Sequence, residues 1–196
     1  REHNIIVIHD NAYSDLLLNG EQGLSFLSIP GAKEVGIEFN SLSKTYNLTG
    51  MRVSFALGNR EVIGKFRAFR SQIDYGMFYP IQAGAVAALT GPQEIGARNR
   101  EGYMARRDAL CGGLRRIGWD VPDAQGTMFV WAKIPERYPS SVDFVIELME
   151  KTGVICVPGS AFGAQGEGYV RFALVVPPER MEEAVRRIDE SGILKG

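Results

Sequence analysis

Four consecutive branched apolar residues, Ile5, Ile6, Val7 and Ile8, run straight into His9-Asp10-Asn11, and they narrow the possible folds more than anything else in the chain. Successive side chains of a strand point to opposite faces, so this run is apolar on both. Strands of that kind sit inside parallel sheets, with neighbours on either side and helices over both faces. Position 1 is Arg rather than Met, and a fold rarely starts at its centre. The chain is therefore expected to be a fragment preceded by a comparable length of sequence.

The pattern continues as short apolar strands and helices in alternation. Strands are predicted at 5–8, 35–39 and 53–57, then helices at 61–72, 81–89 and 92–117. After Gly118 the pattern restarts with a strand at 128–134, a helix at 142–151, strands at 154–157 and 169–175, and a helix at 178–191. Pro178 suits a first helical turn, and Glu179, Glu182 and Glu183 are biased towards its positive end. Alternation at this spacing predicts an α/β or α+β fold. The expected division is residues 1–75 as the end of a large domain, 76–104 as a connecting helical segment, and 105–196 as a small domain.

Charge and composition remove several classes of function. A formal net charge of −1 gives no overall field towards nucleic acid or an anionic membrane. The arginines at 98, 100, 106, 107, 115 and 116 read as a solvated helix face, with no aromatic platform for bases beside them. No apolar run approaches the ~18 residues of a membrane span. The two cysteines, Cys111 and Cys156, lie far apart and indicate neither a metal site nor a disulfide framework. A cytoplasmic location is expected.

The densest chemical signal is Asn40-Ser41-Leu42-Ser43-Lys44-Thr45-Tyr46-Asn47-Leu48-Thr49-Gly50-Met51-Arg52. Ligands of α/β sheets collect beyond the carboxyl ends of the strands. Serine hydroxyls and an arginine fork suit a phosphate, since a guanidinium binds two of its oxygens at once. A lysine held beside them can attack an aldehyde. Ser-x-Ser-Lys alone reads as a surface loop with a solvated lysine; the eight-residue step from Lys44 through Gly50 to Arg52 is what points to a site.

That segment resembles the cofactor-lysine motif of the class I/II (fold type I) aminotransferases, which depend on pyridoxal 5'-phosphate. The resemblance implies that Lys44 binds the cofactor covalently and that Ser41, Ser43 and Arg52 hold its phosphate. Asp10-Asn11-Ala12-Tyr13, which alone reads as a turn former and a packed ring, resembles the family's Asp-x-x-Tyr upstream of the lysine. By that resemblance Asp10 pairs with the pyridine nitrogen and Tyr13 hydrogen-bonds the phenolic oxygen. A carboxylate there keeps the ring charged and effective as an electron sink.

Arg171 stands inside the apolar run Tyr169-Val170-Arg171-Phe172-Ala173-Leu174, where it must snorkel, pair or bind an anion. Without context it reads as structural; the family resemblance implies a grip on the substrate's α-carboxylate. Gly126-Thr127-Met128-Phe129 and Val157-Pro158-Gly159-Ser160-Ala161-Phe162-Gly163 also resemble the family's small domain. The implied fold is the end of the large PLP-binding domain, with a mostly parallel sheet, plus a small α+β domain.

The implied activity is transfer of an amino group between an amino acid and a 2-oxo acid, in a homodimer when complete, with no nucleic acid, membrane or metal involved. The chain by itself is expected to be inactive. PLP-dependent C–S β-lyases and PLP-binding regulatory domains of transcription factors share the lysine, aspartate and arginine and remain alternatives, as does a structural fragment with no site. Within the aminotransferases, the segments around Lys44 and Arg171 resemble the diaminopimelate and aspartate-like branch.

Overall fold

The computed structural model describes residues 2–195, which divide into two compact units at Arg100/Glu101. The first carries a three-stranded sheet in the order β1 (Val7–Asp10), β2 (Gly36–Ser41), β3 (Ser54–Gly58). β1 and β2 are parallel, in register from Val7 opposite Gly36 to Asp10 opposite Phe39. Parallel neighbours need a long crossover; here it includes the single helical turn α1 (Ala32–Val35). The shorter connection through α2 (Leu42–Thr45) returns β3 antiparallel to β2, with Ser54 opposite Ser41. Gly58 closes this sheet at φ +136°, where an added Cβ would lie 2.4 Å from the Gly36 carbonyl oxygen, so no other residue fits there unstrained.

Three longer helices follow: α3 (Arg60–Arg70), α4 (Tyr79–Thr90) and α5 (Glu94–Arg107). Asn59 starts α3, its side-chain oxygen accepting from the amides of Glu61 and Val62 at 3.0 Å each, which satisfies two donors that have no partner within the helix. Phe66 of α3 meets Phe39 of β2 edge to face, with ring centroids 5.5 Å apart.

The apolar strand expected to be buried on both faces is not. Ile5, Ile6 and Ile8 are 65%, 58% and 64% exposed. β1 lies at the edge of the sheet with β2 as its strand partner, so the described residues leave its outer edge uncovered. α4 is likewise apolar and buries none of its residues.

The second unit closes around its own core. β4 (Phe129–Lys133), β6 (Tyr169–Ala173) and β5 (Val157–Pro158) form an antiparallel sheet in that order. Val130, Ala132, Val170 and Phe172 alternate onto its buried face, while Phe129, Trp131, Tyr169 and Arg171 occupy the other. The buried face is covered by helices: α6 (Gly113–Arg116), α7 (Ser141–Thr152) and α8 (Pro178–Glu190). Leu114, Phe144, Leu148 and Ile188 are fully buried there. The Ser140 hydroxyl caps α7, and Gly153 ends it in the left-handed conformation.

The single helix predicted over 92–117 is interrupted by a π-helical turn at Asp108–Gly112, between α5 and α6. Its arginines are not a uniform solvated face. Within the second unit Arg106 donates to the Leu174 carbonyl (3.3 Å) and Arg115 to the carbonyl of Val121 (2.8 Å) and the carboxylate of Asp123 (2.9 Å). Within the first, Arg100 donates to the Asp15 carbonyl (3.2 Å). No helix among the described residues is long and apolar enough to cross a membrane.

Candidate active site

In the first unit the carboxyl ends of β1 and β2 point the same way, and β3 starts at that end because it runs in the opposite direction. Strand register therefore brings Asp10, Ser41 and Arg52 to one end of one sheet. Asp10 is exposed, at the last position of β1. The turn after it is tied down: the Asn11 amide donates to the Phe39 carbonyl (2.8 Å) and the Leu16 amide to the Tyr13 carbonyl (2.9 Å).

Ser41 ends β2 in extended conformation and caps α2, its hydroxyl oxygen accepting from the Ser43 amide (3.1 Å) and donating to the Val53 carbonyl (3.2 Å). Ser43 is buried, and its carbonyl accepts from the Thr49 hydroxyl (3.0 Å). Lys44 follows on α2, with its Nζ 5.4 Å from the centre of the Tyr13 ring. The next residue is anchored on two sides: the Thr45 hydroxyl donates to the Asp15 carboxylate (2.7 Å), and Asn99 Nδ2 donates to the Thr45 carbonyl (2.9 Å). Arg52 has left-handed backbone (φ 53°, ψ 45°), a strained conformation for a residue with a side chain. Its guanidinium is exposed and donates to the Thr49 carbonyl (3.1 Å).

These groups suit the coenzyme that the motif implies. An amine over a phenol ring, a carboxylate at the end of the neighbouring strand, a hydroxyl at the end of β2 and a guanidinium just before β3 supply the groups that an aldehyde, a pyridinium and a phosphate require.

Arg171 belongs to the second unit. Its guanidinium carbon lies 4.1 Å from the ring centre of Phe129 and 4.4 Å from that of Phe162, so it is held between two aromatic faces. Its Nε is buried, with no hydrogen-bond partner among the described residues. A buried donor without a partner is costly, and a charged donor set clamped by rings fits an incoming carboxylate. Trp131, the cross-strand partner of Arg171, stacks on Tyr169 and meets Phe162 edge to face, both at 5.6 Å.

Sequence reasoning did not single out Phe129 and Phe162 as partners of Arg171. Both stood in segments that resemble the family's small domain, but nothing in the letters paired either ring with Arg171. It also passed over Glu38, a carboxylate in the middle of the apolar strand Gly36-Ile37-Glu38-Phe39. The two cysteines stay out of the chemistry. Both are buried and unpaired; burial raises the pKa of each thiol, that of Cys156 to about 12, and a thiol held protonated is a poor nucleophile.

The family model for aminotransferase class I and II matches residues 1–188. The LL-diaminopimelate aminotransferase of Halothermothrix orenii is 46% identical over 192 residues, which is 98% of this chain and 49% of that protein. The protein of the same name from Moorella thermoacetica is 46% identical over 188 residues, covering 96% and 48%. Among solved structures, a probable N-succinyldiaminopimelate aminotransferase from Thermus thermophilus superposes with a TM-score of 0.88 at 36% identity, covering 97% of this chain and 51% of that one. An aromatic aminotransferase from Pyrococcus horikoshii gives a TM-score of 0.90 at 29% identity, covering 97% and 52%. The fold is that of the fold type I aminotransferases, whose class I/II members depend on pyridoxal phosphate. The chain spans about half the length of the curated relatives it matches, and it belongs to the class I and II aminotransferase family.

Proposed function

We propose that this chain is part of a pyridoxal-phosphate-dependent aminotransferase that moves an amino group between an amino acid and a 2-oxo acid. The observation that carries the reading is the approach of Lys44 Nζ to the Tyr13 ring, at the sheet end that also bears Asp10, Ser41 and Arg52. When bound, the coenzyme supplies an aldehyde that exchanges amines and a ring that accepts electron density. Lys44 would hold it covalently, and its Nζ, once freed, would take the proton from the substrate's α-carbon. Asp10 would pair with the ring nitrogen and Tyr13 would hydrogen-bond the ring oxygen. Arg52, Ser41 and Ser43 would hold the phosphate.

Arg171 takes the substrate carboxylate between Phe129 and Phe162. The partnerless Nε supports this role, because a bound carboxylate would satisfy it. The names of the relatives point to LL-diaminopimelate as the amino donor. The reading extends to a homodimer. It also places the protein in a reducing cytoplasm, which suits two cysteines that are buried and unpaired.

The test is transamination by the full-length protein with LL-diaminopimelate and 2-oxoglutarate. Lys44→Ala should lower the rate by roughly 10²–10⁴-fold, the usual worth of a positioned acid–base group. An active wild type paired with an equally active Lys44→Ala variant would refute the assignment. Release of pyruvate from cystathionine in place of glutamate formation would favour the β-lyase.

A further inference from the structure

One buried charge in the first unit has no part in the chemistry above. Glu38 sits in the middle of β2, only 7% exposed, where an ionised carboxylate is costly unless its oxygens are hydrogen-bonded. They are. Oε1 accepts from Asn11 Nδ2 (2.9 Å), and Oε2 accepts from the Ser25 hydroxyl (2.8 Å) and lies 3.3 Å from His9 Nδ1. Burial alone would raise its pKa, but the bonds from Asn11, Ser25 and His9 outweigh burial and leave it below the ordinary value. Two separate segments thus converge on one carboxylate.

Where those segments lie gives the cluster its meaning. His9 is the cross-strand partner of Glu38, and Asn11, two residues on, reaches the same carboxylate. Strand alternation then puts Asp10, between them, on the opposite face. Asn11 is itself buried. Its amide is held by the Phe39 carbonyl (2.8 Å), and its own carbonyl accepts from the Ser14 hydroxyl (3.3 Å) and amide (3.4 Å). The turn from Asp10 to Tyr13 therefore starts from a residue fixed by its main chain and by Glu38. With no acceptor at Glu38, the buried Asn11 amide group would have to turn away and carry the exit of β1 with it.

We infer that Glu38 is a positioning residue for the coenzyme: acting through Asn11, it sets the turn that presents Asp10 and Tyr13 at the sheet end. The inference rests on the proposed function, since Asp10 and Tyr13 matter here as coenzyme ligands. Orienting partners behind a ligand typically change affinity by about 10–100-fold when lost.

The experiment titrates the full-length apoprotein with pyridoxal phosphate, followed by absorbance, and records the melting temperature of each variant. Glu38→Ala and Asn11→Ala should each weaken coenzyme binding by about tenfold or more. Together they should be no worse than the stronger single change, within about twofold, because both cut the same link. Asn59→Ala, which removes the cap of α3 in the same unit, should lower the melting temperature and leave coenzyme affinity unchanged.

Glu38→Ala behaving like Asn59→Ala, less stable but equally tight, would overturn the inference and leave the functional reading intact. Strictly multiplicative losses in the double variant would also overturn it. A wild type that takes up no coenzyme would remove the functional reading and the inference together. Should Glu38→Ala not fold, Asn11→Ala against Asn59→Ala makes the same comparison from the other end of the bond.

Discussion

The two units treat their apolar residues in opposite ways. In the second, Leu114, Val130, Phe144, Leu148, Val170, Leu174, Ile188 and Ile193 are all fully buried, and strand alternation separates core from surface cleanly. In the first, Ile5, Ile6, Ile8, Phe69, Phe78, Tyr79 and Val86 are exposed, and neither α3 nor α4 buries a residue. Exposed apolar area on that scale marks an interaction surface. The chain spans about half the length of its curated relatives, and the contrast singles out the first unit, which holds the proposed coenzyme site, as the one with apolar surface to spare.

The largest expected effect on substrate binding sharpens that contrast. Arg171→Lys in the full-length protein should raise KM for the amino acid by roughly 10–100-fold, the loss of a charge-assisted bond worth about 1.5–3 kcal/mol, with coenzyme affinity unchanged. Phe162→Ala should act in the same direction and less strongly, since it removes one face of the clamp and leaves the guanidinium fork. Coenzyme titration beside initial-rate kinetics separates the two constants. Loss of coenzyme affinity in either variant would break the division of labour between the units.

Stability comes next. Phe144→Ala removes a buried ring that packs edge to face against Trp119 and Tyr138, and should cost about 3–5 kcal/mol both in this chain and in the full-length protein. Ile8→Ala should be neutral within about 0.5 kcal/mol in this chain but cost about 2–5 kcal/mol in the full-length protein. Urea unfolding of all four proteins checks both. An Ile8→Ala effect that is the same in the two lengths would mean that the first unit is not completed by further chain.

The smallest effect is a pH dependence. The pKa of Glu38 is lower folded than unfolded. Its contribution is therefore complete above the ordinary glutamate value of about 4.3 and is lost as pH falls through the lower folded value. The gap in melting temperature between wild type and Glu38→Gln should hold steady from neutral pH to about pH 5 and then close in more acid solution. A gap that widens on acidification would contradict the sign.

Much of this was legible in the letters, for physical reasons that can be named. Lys44 and Arg52 stand out because their eight-residue spacing matches the motif that the segment resembles, and both lie on the connection between β2 and β3. The helix at Pro178–Glu190 was legible from its proline and its early glutamates. Other features were not. The burial expected for Ile5–Ile8 depends on neighbours, and a strand at a sheet edge exposes the same letters. Arg106 looked solvated because periodicity does not show a carbonyl 68 residues away at Leu174. Glu38 was invisible because its partners, Asn11 and Ser25, lie on separate segments that only the parallel pairing of β1 and β2 brings near. The π-helical turn at Asp108–Gly112 left no mark on a pattern that stays apolar through Leu110, Cys111 and Leu114.

The covalent role of one amine underlies the whole account, and it can be read directly. The full-length protein is incubated with pyridoxal phosphate, reduced with borohydride, digested and mapped by mass spectrometry. The reduced coenzyme should be found on the peptide containing Lys44, and not in the Lys44→Ala variant. Modification confined to any other lysine, or none in a folded protein, would contradict the account.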